Sequence, residues 1–189
     1  MQGKIIADIS FGLDQPTTER LYTALQATED KPQGLLLKPA TSRRIHLAFL
    51  GSVSFDRLAV AQEHLQELVA SLPEPQFSFT GFKIRSYHKV HYLIAKAMTA
   101  PAAGERWSAF IRRVRSLMRR DVARFTDDRI WQPHVVMGKY LVLDGTVAHW
   151  SYKLAEPIPF HAGEIAIYFK IAEEANLSIY NRPTIIVQR

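Results

Sequence analysis

The sequence predicts a mixed fold of strands and helices, and three observations carry that prediction. Short apolar runs rich in β-branched and aromatic residues recur at 45–51, 77–82, 90–96 and 134–138, bounded by proline, glycine or polar residues. Two longer segments, 58–72 and 104–124, repeat apolar residues at three- and four-residue steps, the period of one helix face. A chain of 189 residues that is 47 % hydrophobic can bury a full core, as one large domain or as two closely packed lobes.

Residues 4–9, Lys-Ile-Ile-Ala-Asp-Ile, read as a first strand. Asp14-Gln15-Pro16-Thr17-Thr18-Glu19 then opens a helix, with a proline, which has no N–H to lose there, and an acidic first turn. Leu21, Tyr22, Ala24 and Leu25 form its apolar face up to about Ala27. Lys31-Pro32-Gln33-Gly34 breaks the chain, 35–38 is a brief extended piece, and Pro39 precedes the next strand. After Gly51, Ser54 or Asp56 is placed to cap a helix carrying Leu58, Ala61, Leu65, Leu68 and Leu72, which Pro73 and Pro75 stop. His64, among Gln62, Glu63 and Gln66, falls on the solvated face of that helix.

Residues 77–82 alternate aromatic and small residues, and 84–87 and 90–96 are further strand-like runs that suit two strands of a hairpin. His88 and His91 have the spacing of a helical ligand pair, but in an extended chain an odd separation sends them to opposite faces, which suits no metal. In the helix at 104–124, Trp107, Phe110, Ile111, Val114, Leu117 and Met118 make one apolar stripe. Arg112, Arg113, Arg115, Arg119, Arg120 and Arg124 occupy its flanks and opposite face. Asp127-Asp128 closes this helix ahead of the strand at Pro133-His134, and Asp144-Gly145 is a turn. Residues 146–154 fit a short helix or an edge strand; 164–171 and 177–180 read as strands with a turn at 173–176; 184–187 is apolar enough to pair or dock.

With no cysteine, structural disulfides, Cys-ligated zinc, iron–sulfur clusters and thiol catalysis are excluded. The first apolar residues meet Asp8 too soon for a signal peptide, and no run reaches membrane-spanning length, so the expectation is a soluble, cytoplasmic protein with no membrane partner. A net charge of +6, concentrated in the arginine-rich helix, favours phosphate-bearing ligands, although an exposed cationic face also serves solubility alone.

Two strands carry the candidate chemistry, Arg43-Arg44-Ile45-His46-Leu47-Ala48-Phe49-Leu50-Gly51 and Trp131-Gln132-Pro133-His134-Val135-Val136-Met137-Gly138. Strand alternation puts Arg44, His46, Ala48 and Leu50 on one face, with Ile45, Leu47 and Phe49 behind. It likewise puts His134, Val136 and Gly138 together, backed by Val135 and Met137. Two such strands meeting across a cleft would converge His46, Arg44 and His134 on a small volume suited to an anion such as phosphate. The competing reading is a pair of core strands with incidental histidines.

Leu47-Ala48-Phe49-Leu50-Gly51 and, in part, Pro133-His134-Val135-Val136 resemble the two motifs of the two-histidine (2H) phosphoesterase superfamily, in particular its 2′-5′ RNA ligase-like, RNA 2′,3′-cyclic phosphodiesterase branch. In that family a His-x-Thr/Ser motif occurs twice, and the order of elements is similar over nearly the whole chain. The resemblance implies a bilobal α+β fold, a single domain over 1–189, with two antiparallel sheets facing a central cleft and helices outside. It implies that one imidazole takes a proton from water, the other gives one to the leaving oxygen, and hydroxyls steady the phosphoryl oxygens. No cofactor or metal is implied.

With 47–51 held in register, Arg44 stands at the first family histidine and His46 at the hydroxyl position; His134 keeps the second histidine and Val136 replaces the second hydroxyl. Arginine keeps its proton near neutral pH, so Arg44 is expected to anchor phosphate, with Lys139, while His46 and His134 form the acid/base pair. The expected function is a divergent 2H-type phosphoesterase, a phosphodiesterase hydrolysing a cyclic phosphate or phosphodiester of an RNA end or nucleotide. The alternatives are a catalytically inactive RNA- or nucleotide-binding module that keeps the cleft, and an interaction domain whose basic helix meets an acidic partner.

Overall fold

The computed structural model describes residues 5–74, 76–87, 90–123, 130–140, 149–161, 164–171 and 184–187. Its strands are β1 (Ile5–Gly12), β2 (Leu35–Leu37), β3 (Arg44–Val53), β4 (Gln76–Tyr87), β5 (Val90–Met98), β6 (His134–Tyr140), β7 (Ser151–His161), β8 (Ile165–Ile171) and β9 (Thr184–Val187). Its helices are α1 (Gln15–Gln26), α2 (Phe55–Val69) and α3 (Pro101–Asp121), and a short 3-10 turn at Ala40–Ser42 leads into β3.

The strands lie in the order β7-β4-β5-β6-β3-β1-β8-β9, with β2 also on β6, and neighbours are antiparallel. Within each half the ladders are long, but β3 and β6 share a single register pair, Ile45 with Val135. The expected pair of antiparallel sheets is therefore present as two halves of one sheet that touch at one rung. Beyond that rung β2 takes the free edge of β6, Leu36 opposite Lys139 and Leu37 opposite Gly138. The resulting α+β architecture agrees with the fold expected from the two motifs.

The core follows from alternation. In β4, Phe77, Phe79, Phe82 and Ile84 are buried, while Ser78, Thr80, Lys83 and Arg85 point the other way, and a register shift between Phe79 and Gly81 keeps the two sets apart. Trp107 of α3 fills the centre against Phe11, Phe77, Phe110 and Trp131, its indole N–H donating to the Glu74 carbonyl. Phe110, Ile111, Val114 and Met118 continue that stripe and are all buried.

Most boundaries agree with the sequence reading. The Asp14 side chain accepts from the Thr17 N–H at 2.6 Å at the start of α1. Ser54 does stand at the N-cap of α2, but its side chain makes no capping bond. Helix α3 begins at Pro101, ahead of the expected residue 104, because proline suits a first helical position. Residues 151–161 form strand β7, and 184–187 pair with β8 as β9. The expected features at His88, Asp127-Asp128, Asp144-Gly145, 173–176 and 177–180 lie outside the described residues.

His64 requires a correction. Its side chain is only 15 % exposed, and Nε2 lies 2.7 Å from Asp121 at the end of α3. Helix-to-helix packing, which one helix's periodicity does not report, has turned an apparent surface histidine into a tie between α2 and α3. Hydrogen bonds from Arg120, reinforced by that from His64, hold the Asp121 carboxyl at about 2, against the opposing effect of desolvation.

Candidate active site

The single rung between the two half-sheets fixes the site. Ile45 and Val135 are fully buried, so their neighbours His46 and His134 turn to the opposite face. One further step in an antiparallel register sets His46 opposite His134, just where the strands separate. Both line a cavity of about 300 Å³ with Phe49, Arg85, Arg115 and Gln132.

Strand β3 does not alternate regularly. Against β1, Asp8 pairs with Phe49, Ile9 with Ala48 and Ser10 with His46, which leaves Leu50 and Leu47 as extra residues in two bulges. Gly51, at φ 67°, supplies the left-handed backbone next to the first bulge. Consequently Ala48 and Leu50 are buried and do not share the His46 face, contrary to simple alternation, whereas Phe49 turns out and is 52 % exposed. The second bulge also brings the Leu47 carbonyl within 3.4 Å of Arg115 Nε, so α3 contributes a guanidinium to the cavity.

Each imidazole has its Nδ1 side held. Ser10 Oγ donates to Asp8 Oδ1 at 2.6 Å, and His46 Nδ1 lies 3.1 Å from Ser10 Oγ and 3.3 Å from Asp8 Oδ1. Since the serine proton is committed to the carboxylate, Nδ1–H of His46 is the donor here. His134 Nδ1–H donates to the Gln132 carbonyl at 2.7 Å. Both arrangements leave Nε2 as the free ring nitrogen. The pKa of His134 is pushed below that of an ordinary histidine chiefly by burial and further by the charges of Arg85, His46 and Lys83, against the raising effect of the Gln132 carbonyl. Trp131 Nε1 donates to the His46 carbonyl at 2.9 Å and ties the segment before β6 to β3.

Arg44 and Lys139 are not brought to this cavity. Arg44 is 4 % exposed, its Nη2 lies 3.0 Å from Asp8 Oδ2, and its guanidinium stacks 4.2 Å from the Tyr168 ring centroid. It is a buried ion-pair partner, not an exposed phosphate anchor, because β1 supplies a carboxylate beneath it. Desolvation alone would raise the Asp8 pKa, but hydrogen bonds from His46 and Ser10 with the charges of His46 and Arg44 outweigh it and hold the carboxyl well below its usual range. Lys139 is exposed, five residues along β6 from His134, about 16 Å at the backbone. The cations that do line the cavity are Arg85, whose Nη2 donates to Gln132 Oε1 at 2.8 Å, and Arg115. Val136, half-buried, pairs with Ile94 and offers no hydroxyl. Among the described residues no cluster of three or more His, Cys, Asp or Glu could hold a metal ion, and no helix is long and apolar enough to cross a membrane.

Asp8, Ser10, Arg85 and Gln132 were not singled out as site residues by the sequence, and Arg115 only as one arginine of a basic face. A signal existed for Asp8, a lone acid inside Ile5-Ile6-Ala7-Asp8-Ile9, and for Arg85, which alternates with the apolar Ile84 and Phe82.

The whole chain is similar in structure to several solved proteins. E. coli LigT in complex with 3′-AMP matches over 98 % of this chain and 96 % of its own, with a TM-score of 0.59 and 15 % identity. TT0787 of Thermus thermophilus matches over 97 % and 95 %, with a TM-score of 0.63 and 12 % identity. Kluyveromyces marxianus Usb1 with uridine monophosphate matches over 100 % and 99 %, with a TM-score of 0.52 and 10 % identity. No protein-family model and no curated protein sequence matches the chain. The fold is that of the two-histidine phosphoesterases.

Proposed function

We propose that the protein is a divergent phosphodiesterase of the two-histidine type, hydrolysing a cyclic phosphate or phosphodiester at an RNA end or in a nucleotide. The observation that carries this reading is the pair His46 and His134, opposed where the half-sheets separate, each with Nδ1 held and Nε2 free. The nucleotides bound by LigT and Usb1, 3′-AMP and uridine monophosphate, support a nucleotide ligand.

In hydrolysis of a 2′,3′-cyclic phosphate, a water oxygen attacks phosphorus and one P–O bond to the ribose breaks. His134, kept neutral by its lowered pKa, takes the water proton on Nε2. His46 gives the Nε2 proton to the departing ribose oxygen, and Asp8 balances the imidazolium charge between turnovers. Arg85 and Arg115 replace Arg44 and Lys139 as the groups that hold the phosphoryl oxygens, and Phe49 offers an apolar rim for the nucleoside. Absence of both motif hydroxyls lowers the rate by about 10- to 1,000-fold on the scale of lost oxyanion donors.

One observation favours the second reading, a binding module without turnover. Arg44, at the register position of the first family histidine, is sealed against Asp8 and Tyr168 and is unable to transfer a proton. Turnover of 2′,3′-cyclic mononucleotides by the wild-type protein and by His134→Ala separates the two. Turnover above background that is lost in the variant supports the hydrolase; background turnover in both, with nucleotide binding that weakens steeply in salt, supports the binding module.

A further inference from the structure

Helix α3 divides its arginines between two sides. Arg115 turns toward the Leu47 carbonyl and the cavity, whereas Arg106, Arg112, Arg113, Arg119 and Arg120 are exposed on the face turned away from the core. We propose that this outer face is a docking surface for an extended acidic segment of a partner protein, a run of aspartates and glutamates lying along the helix. The surface stands outside the histidine cavity, so it goes beyond the phosphoesterase reading and does not depend on it.

The placement follows from the helical period. Seven residues make nearly two turns and about 10 Å of rise, so Arg106, Arg113 and Arg120 form one row and Arg112 and Arg119 a second beside it. The buried stripe of Trp107, Phe110, Val114 and Met118 lies behind both rows. From Arg106 to Arg120 the charged face runs about 21 Å. Glu105 is the one exposed acid of α3. Arg120 is engaged by Asp121, but Arg106, Arg112 and Arg113 have no acidic partner among the described residues.

Width and composition choose the occupant. Helix α2 packs beside α3, tied to it through His64 and Asp121, and its exposed charges are mostly of the opposite sign, Asp56, Glu63 and Glu67 against Arg57. The positive surface is therefore one helix wide, about 10–12 Å. A nucleic-acid duplex carries phosphates on both strands of a broader rod, and laying it on α3 would bring some of them against the carboxylates of α2. Single-stranded nucleic acid draws on aromatic platforms, a membrane surface on large apolar side chains that enter it, and a folded partner on an aromatic or apolar centre. The exposed residues between the arginine rows are Ala102, Ala109 and Ser116, which offer none of these. A narrow polyanion without bulky side chains fits. Along one face of an extended peptide, side chains recur every ~7 Å, so about four carboxylates span the rows. Each guanidinium can take a carboxylate in a bidentate fork. A segment rich in aspartate and glutamate also stays unfolded by itself, and so is free to lie along a helix.

The test is fluorescence anisotropy of a labelled peptide of alternating aspartate and glutamate, about ten residues long, with the full chain, beside its asparagine and glutamine counterpart. The acidic peptide is expected to bind and the neutral one not to, with affinity falling at least about threefold between 50 and 200 mM salt as exposed charges are screened. The triple variant Arg106→Gln, Arg112→Gln, Arg113→Gln should weaken binding about tenfold, the scale of three exposed ion pairs. Glutamine forms helix nearly as well as arginine, so α3 stays folded. Lys83→Gln, Lys96→Gln, Lys139→Gln removes the same charge elsewhere, two of the lysines from a second cavity of about 370 Å³ beside His134, and should weaken binding less than about threefold. No binding at 50 mM salt, equal binding of the neutral peptide, or equal losses in the two triple variants would overturn the proposal. So would an RNA duplex or phosphatidylserine vesicles that hold the same arginines more tightly than the peptide does. Turnover of cyclic nucleotides is expected to be unchanged in the arginine variant. Peptide binding without any turnover would remove the hydrolase and leave this surface; turnover without peptide binding would do the reverse.

Discussion

Replacing Asp8 by asparagine keeps the side-chain volume but removes the charge that Arg44 and His46 share. In the Asp8→Asn protein Arg44 stays buried and charged, with no hydrogen-bond partner for Nε among the described residues even in the wild type, and with the Tyr168 ring still stacked on its guanidinium. Breaking a buried ion pair by removing one partner costs about 3–5 kcal/mol. At roughly 2–4 °C per kcal/mol for a chain of this size, Tm should fall by about 6–20 °C. The pH dependence has a definite sign. A carboxyl whose folded pKa is depressed contributes stability above its unfolded value, about 3.9, and loses it as pH falls through the folded one. Urea unfolding of both proteins should therefore give a gap of several kcal/mol at neutral pH that narrows as pH drops below about 4. The double variant Asp8→Asn with Arg44→Met, which removes both charges, should recover most of the loss. Wild-type stability in Asp8→Asn at neutral pH, or a gap indifferent to acid, would refute the reasoning.

Two further substitutions probe the fold and the cavity. Gly138→Ala puts a Cβ 2.5 Å from the Leu36 carbonyl oxygen of β2, a backbone atom that cannot turn aside, so a loss of about 1–3 kcal/mol is expected in denaturant unfolding. Arg115→Ala should weaken binding of 3′-AMP by about tenfold or more, whereas Lys139→Ala, which reaches neither cavity, should change it less than twofold; the reverse order would restore the anchor expected from the sequence.

The strands, the helices and the convergence of His46 with His134 were legible because each rests on a short-range pattern. Phe77 to Ile84 alternates, Trp107 to Met118 repeats at helical spacing, and the two histidine strands carry their own motifs. What escaped was set by long-range register. Two bulges against β1 reversed the faces of Ala48, Phe49 and Leu50, and no count along β3 alone reports an extra residue in a ladder. Arg44 was expected in the cleft because its partner Asp8 lies 36 residues earlier and becomes its neighbour only through β1–β3 pairing. Arg85 and Arg115 reach the cavity from a strand and a helix that the motif does not include. His64 follows the same rule, its partner Asp121 lying 57 residues away on another helix.

The proposed hydrolysis requires His46 and His134 to act together on one phosphate, and the kcat/KM of His46→Ala, His134→Ala and the double variant on a 2′,3′-cyclic nucleotide tests that requirement. Acid and base in one step should each cost about 100- to 10,000-fold, and the double variant should be little worse than the poorer single variant, since either loss already disables the shared step. Wild-type rates in either single variant, or losses that multiply in the double variant, would contradict it.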